Sequence, residues 1–164
     1  DALPLADGTL LVAELATGAI TKLSGEHFAT RTELAKELAG PAALILGSDG
    51  AVYVTEAAGR LTKIDLATGA KTVVAQELAM PEGVAETPWG TFVVAESATK
   101  RVIEIDPKTG TKTTIAENLP IGLTPGRPGM PPAYLATGVA VDRDGTVYVT
   151  GDIDNSLVRI PAKS

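Results

Sequence analysis

Four times along the chain a two-residue turn is followed by a short run of apolar and β-branched residues that ends in an acid. The turns are Asp7-Gly8, Asp49-Gly50, Trp89-Gly90 and Asp144-Gly145, and the runs cover residues 9–14, 51–56, 91–96 and 146–152. Their length and their Val, Tyr, Phe and Thr content favour buried strands over helices. Downstream of each comes a second run, at 20–23, 61–65, 102–106 and 157–160, in which polar residues alternate with apolar ones. That alternation predicts strands with one face toward solvent. Thr68-Gly69 and Thr109-Gly110 then turn the chain into runs at 71–75 and 112–116, and short apolar segments at 43–46, 83–85 and 138–141 precede the Asp-Gly or Trp-Gly turns.

Self-similarity of this kind, four antiparallel strands in about forty residues, is the pattern of a β-propeller blade. The expected fold is therefore all-β, a propeller of four-stranded antiparallel blades with about four blades in this chain. With strands lettered A to D from the hub outwards, the blades are expected at 1–40, 41–80, 81–132 and 133–164. The third carries a long loop at 120–134, and the fourth lacks its outer strand. Uncovered blade faces and sheet edges invite association. Three arrangements answer that: part of a six-bladed ring completed by a second chain, self-association of two copies, or a four-bladed ring closed on itself.

Composition narrows the partners. The chain has 20 acidic and 14 basic residues, a net charge of −6 and no Lys/Arg cluster, which argues against nucleic acid. No apolar run approaches the roughly 20 residues that cross a bilayer, so a membrane is not an expected partner. Asp1-Ala2-Leu3-Pro4 carries neither a basic region nor an apolar signal segment, so any signal or pro-segment is expected to be gone at this point. With 6 aromatic residues among 164, the core must be built from Ala, Val, Leu and Ile. There is no Cys, His27 is the sole His, and Ser97 and Ser156 have no His near them in sequence, so no serine triad assembles.

Pro81-Glu82-Gly83-Val84-Ala85, Gly138-Val139-Ala140-Val141-Asp142, the run after Asp144-Gly145 and Arg101-Val102-Ile103-Glu104-Ile105-Asp106 make the chain resemble NHL-type and gluconolactonase-type (SMP-30-like) six-bladed propellers. The resemblance covers nearly the whole chain. It implies, for a gluconolactonase-type member, a hydrolase of lactones or esters with a divalent cation in its central channel. Glu82 falls where that family's Pro-Asn-Gly motif places an Asn ligand, while Ala42 and Thr137 hold the equivalent places in the neighbouring blades. For an NHL-type member it implies a non-catalytic module that binds a protein or a small ligand. Cys-free, Thr- and Ala-rich composition together with the habit of the family point to a secreted or periplasmic protein, with a cytoplasmic one left open.

Blade topology puts the B-to-C turns, the D-to-A crossovers and the starts of the A strands on one face. Glu14, Glu56, Glu82, Glu96 and Asp152 are expected there, with Asp154 and Asn155 just beyond. Converging carboxylates suit Ca²⁺, which takes about six to eight oxygen ligands. On the enzyme reading Glu82, Glu56 and Glu14 are metal ligands, and Glu96 and Asp152 serve as further ligand or base. On the other reading, acids at strand ends are solvated turn residues. The loop at 120–134, rich in Pro and Gly, overlies the same face, and its Arg127 and Tyr134, with Asn155, are candidate contacts to an anionic or carbonyl-bearing ligand. Trp89 stands in the A-to-B turn of the opposite face as a partly packed apolar residue.

Overall fold

Where each Asp-Gly or Trp-Gly pair was predicted to turn the chain, one hairpin closure recurs. Leu5, Gly47, Thr87 and Asp142 donate their backbone N–H to the carbonyls of Thr9, Ala51, Thr91 and Thr146 at 2.8–3.0 Å. The computed structural model describes residues 1–122 and 137–162, and among these residues every long element is a strand. No helix among them is long and apolar enough to cross a membrane.

The strands form four antiparallel sheets, each in chain order. The first holds β1 (Ala2–Pro4), β2 (Leu10–Glu14), β3 (Ala19–Ser24) and β4 (Thr30–Ala35). The second holds β5 (Pro41–Leu46), β6 (Val52–Glu56), β7 (Arg60–Ile64) and β8 (Lys71–Gln76). The third holds β9 (Pro81–Glu86), β10 (Phe92–Glu96), β11 (Arg101–Ile105) and β12 (Lys112–Ala116). The fourth has, among the described residues, three strands, β13 (Val139–Val141), β14 (Val147–Gly151) and β15 (Ser156–Ile160). One-turn 3-10 helices at Glu26–Phe28 and Ser97–Thr99 complete the described elements.

The chain divides into two compact units, Asp1–Pro81 and Glu82–Ser164. Each is built the same way. Because residues two apart share a face, β2 and β3 turn Leu11, Ala13 and Ile20 onto Val52, Val54 and Ile64 of β6 and β7 in the first unit. In the second, Val93, Ala95 and Val102 of β10 and β11 meet Val147 and Val149 of β14. Aliphatic side chains fill both cores, as the shortage of aromatics required.

Two features were not anticipated. The pairs β3–β4, β7–β8 and β11–β12 share one register shift, between Ile20 and Thr21, Leu61 and Thr62, and Val102 and Ile103, where a bulge inserts one residue. Past each outer strand a residue in the left-handed region (Glu37, Glu77, Asn118) precedes a buried leucine. Leu38, Leu78 and Leu119 donate their N–H to the carbonyls of Gly18, Gly59 and Lys100 at 2.9–3.0 Å. This ties the end of each outer strand back to the turn between the two middle strands. The third strands also depart from the expected half exposure, since Thr21 and Thr62 are buried.

Candidate functional site

The acids that end the second strands are held chiefly by arginine and threonine side chains of their own blades. In the second sheet the register sets Glu56 opposite Arg60 and Val54 opposite Thr62, so Glu56, Arg60 and Thr62 share a face. Thr62 Oγ1 donates to Glu56 Oε1 at 2.5 Å, Arg60 donates to Oε2 at 2.8 Å, and the Ala39 N–H reaches Oε2 at 2.5 Å. Glu56 is 1% exposed. Burial alone would raise its pKa, but the Thr62 hydroxyl, the Ala39 N–H and the Arg60 guanidinium outweigh burial and hold it below the ordinary carboxylate value.

Glu14 repeats the arrangement with different donors. Thr21 and Thr17 donate to it at 2.6 and 2.9 Å, and Arg31 arrives from β4 to pair with Oε1. The Thr21 hydroxyl does most to lower its pKa, followed by Thr17. In the second unit Glu96, fully buried, pairs with Arg101 and accepts from Thr99 at 3.3 Å. The two middle strands of the first three sheets are thus pinned at one end by a carboxylate, an arginine and at least one threonine.

The fourth sheet lacks the pin. Gly151 faces Ser156 in the register that Glu56–Arg60 and Glu96–Arg101 occupy elsewhere, and Asp152 falls one residue past it. A Cβ on Gly151 would lie 2.4 Å from Ser156 Oγ and 2.9 Å from Pro120 Cγ, so no larger side chain fits without displacement. The donor has gone with the acceptor. Ala39 and Pro120 hold matching places, their carbonyls accepting from Ala58 and Ile153 at 3.1 and 3.0 Å, but proline has no N–H to offer a carboxylate.

Glu82 joins the starts of two inner strands. Its Oε2 accepts the Thr137 N–H at 2.6 Å, beside a Gly83 N–H to Thr137 carbonyl bond of 2.9 Å. Asn155 is exposed in the turn before β15 with φ of 58°, the left-handed place that Gly59 and Lys100 fill in their sheets. Arg127 and Tyr134 lie outside the described residues.

No protein-family model matches the chain, and no curated protein matches it in sequence. Solved structures do. Virginiamycin B lyase from Staphylococcus aureus superposes on 98% of the chain with a TM-score of 0.74 at 19% identity. The WD40 β-propeller domain of Doa1 covers the whole chain with a TM-score of 0.68 at 17% identity. The chain has the fold of a β-propeller. A gluconolactonase from Xanthomonas campestris also matches 97% of it, with a TM-score of 0.67 and 20% identity. The chain spans 51%, 50% and 60% of these three proteins, about half the length of each.

Within the propeller each sheet is a blade; the arginine and threonine of each pin belong to the blade of their glutamate, while Ala39 reaches Glu56 from the connection between the first two sheets. Among the described residues no group of three or more His, Asp or Glu stands close enough together to hold a metal ion. Glu14, Glu56 and Glu96 would each have to release an arginine to ligate one, so this donor set does not fit a hard cation. A partial signal for the pins was present in sequence. Thr-Lys recurs at 21–22 and 62–63, and Arg60 and Arg101 each open the strand after the turn, 4 and 5 residues beyond their glutamates, whereas Arg31 comes from a different strand.

Proposed function

We propose that this chain supplies ligand-binding surface to a larger propeller and that its strand-end glutamates serve the blades themselves. The observation carrying this reading is the engagement of Glu14, Glu56 and Glu96 by arginine and threonine within their own units. The ligand, a protein or a small molecule, would be met on the face bearing the 120–134 insertion, with Arg127, Tyr134 and Asn155 as contacts. Thermal melts with and without millimolar Ca²⁺ test it. The expected result is no Ca²⁺-dependent change of Tm in the native protein or in Glu82→Gln. A rise of several degrees that Glu82→Gln abolishes would replace this reading with the next.

A second reading is a gluconolactonase-like hydrolase of a lactone or ester that uses a divalent cation. It is favoured by the likeness in fold to the Xanthomonas enzyme and by Pro81-Glu82-Gly83. Glu82 would be the ligand, and Glu96 or Asp152 the second ligand or base. On either reading a secreted or periplasmic location is proposed from composition. The outer edge of β15 carries no fourth strand among the described residues, and Leu157 there is largely exposed. We propose that a further strand, from a second chain or a second copy, pairs along it. Native mass spectrometry should then show a species heavier than 16.8 kDa, and a lone 16.8 kDa species would refute the association.

A further inference from the structure

Within each unit one sheet lays an aliphatic face on the next. Leu11, Ala13 and Ile20 of the first sheet cover Val52, Val54 and Ile64 of the second, and Val93, Ala95 and Val102 of the third cover Val147 and Val149 of the fourth. Alternation with period two then gives every sheet two faces of fixed character. The forward face centres on a small residue of the second strand paired with an aliphatic one of the third: Ala13 with Ile20, Thr55 with Leu61, Ala95 with Val102 and Thr150 with Leu157. The backward face carries aliphatic pairs, Val52 with Ile64 in the second sheet and Val147 with Ile160 in the fourth. The first sheet has the same set, with Leu10 opposite Leu23 and Val12 opposite Thr21.

Burial breaks this pattern at two places. Ile20, Leu61 and Val102 are fully buried, whereas Leu157, at the same register position, is 66% exposed. On the backward side Val52, Val54 and Ile64 are fully buried, whereas Leu10, Val12 and Leu23 are only half-buried. Leu157 is thus a core residue by position and a surface residue by exposure. Thr150 suits a covered face as well. Its Oγ1 accepts the Gly138 N–H at 2.7 Å, as Oγ1 of the fully buried Thr55 accepts the Ala43 N–H at 3.1 Å. The first sheet, in turn, is suited to receive a sheet that ends as the fourth does. Glu56 draws one donor, the Ala39 N–H, from the connection that follows the outer strand of the preceding sheet. Glu14 is supplied by Thr17, Thr21 and Arg31 of its own blade and needs no such connection. Among the described residues the fourth sheet has no outer strand from which one could come.

We propose that the forward face of the fourth sheet, centred on Thr150 and Leu157, docks on Leu10, Val12 and Leu23 of a second copy of the chain, repeating between copies the packing found inside each unit. This rests on the reading of the chain as part of a larger propeller and names the partner. The two faces differ, so the contact is head-to-tail and builds a closed ring or an open row of copies. Native mass spectrometry and sedimentation of the whole protein over a range of concentrations test it. Species at whole multiples of 16.8 kDa are expected. Leu157→Asp, a change at a surface position, should weaken them at least about tenfold, the equivalent of one buried leucine lost from the contact. Val12→Asp should weaken them from the other side. Mixed in equal amounts the two variants should recover a one-to-one dimer, since each retains the face that the other lacks. Hydroxyl-radical footprinting of the native protein needs no variant: labelling of Leu157 and of Leu10 and Leu23 should fall together as concentration rises. A complex whose mass is not a multiple of 16.8 kDa would overturn the proposal by putting another chain on the fourth sheet, and would keep the larger-propeller reading. A lone 16.8 kDa species at every concentration would remove both. Multimers that Leu157→Asp leaves intact, or in which only one of the two faces is protected from labelling, would also overturn it, since the contact would then lie elsewhere.

Discussion

Replacing Glu56 by Ala is expected to lower the unfolding free energy by about 3 kcal/mol, the low end of what removing one partner of a buried ion pair costs. Three donors lose their acceptor at once: the Thr62 hydroxyl, the Ala39 N–H and the Arg60 guanidinium. The Arg60 side chain is 38% exposed and can partly rehydrate, which keeps the loss from being larger. Glu56→Gln keeps a single acceptor oxygen, so only one of Thr62 and Ala39 retains its partner while the other faces the amide NH2 and the charge is lost; about 2 kcal/mol is expected, still less than for Glu56→Ala. Urea denaturation separates the two variants, and a Glu56→Ala midpoint equal to that of the native protein would show that the pin contributes nothing.

The same residue sets part of the acid limb of stability. Its pKa is lowered in the folded state, so near pH 4 the unfolded chain binds more protons than the native one. Its contribution is complete above the unfolded value of about 4.3 and disappears as pH falls through the folded value. The difference in stability between the native protein and Glu56→Gln should therefore shrink progressively below pH 4.3.

Gly69→Ala is the second large effect. Gly69 turns β7 into β8 with φ of +71°, and a Cβ there would lie 2.0 Å from the Leu34 carbonyl oxygen of β4. A backbone oxygen cannot swing aside as a side chain would, so the two sheets of the first unit must separate locally or the turn must change. About 3 kcal/mol of destabilisation is expected, from left-handed strain of about 1 kcal/mol plus overpacking. Gly50→Ala is the control. Its φ is +81°, but nothing lies within 4 Å of the added carbon, so only the strain of about 1 kcal/mol remains. Equal losses in the two variants, read from urea midpoints, would show that the contact with Leu34 yields without cost.

Much of the fold was legible in the residues themselves. Turn pairs such as Asp49-Gly50, β-branched runs between them and a repeat of four strands follow from local preferences that each segment carries wherever it stands. The edges of the strands expected from these runs came out within two residues for the same reason. Glutamates at the ends of β2, β6 and β10 were equally visible, as were Glu82 at the start of an inner strand and the shortage of aromatics.

What those glutamates touch was decided in three dimensions. Alternation with period two says which residues share a side of a strand but not whether that side is wet. Thr21 and Thr62 alternate as solvent-facing residues should, yet both are buried and spend their hydroxyls on Glu14 and Glu56. Arg31 reaches Glu14 only because β4 pairs with β3 after a one-residue bulge, which no spacing in the chain announces. Gly151 and Pro120 are more than thirty positions apart, and their shared omission of acceptor and donor has meaning only once the third and fourth sheets pack. The chain by itself determined the blades, because turn and strand preferences are local. The tertiary structure alone decided which polar atoms meet, because a buried carboxylate takes whichever donors packing brings within hydrogen-bond distance.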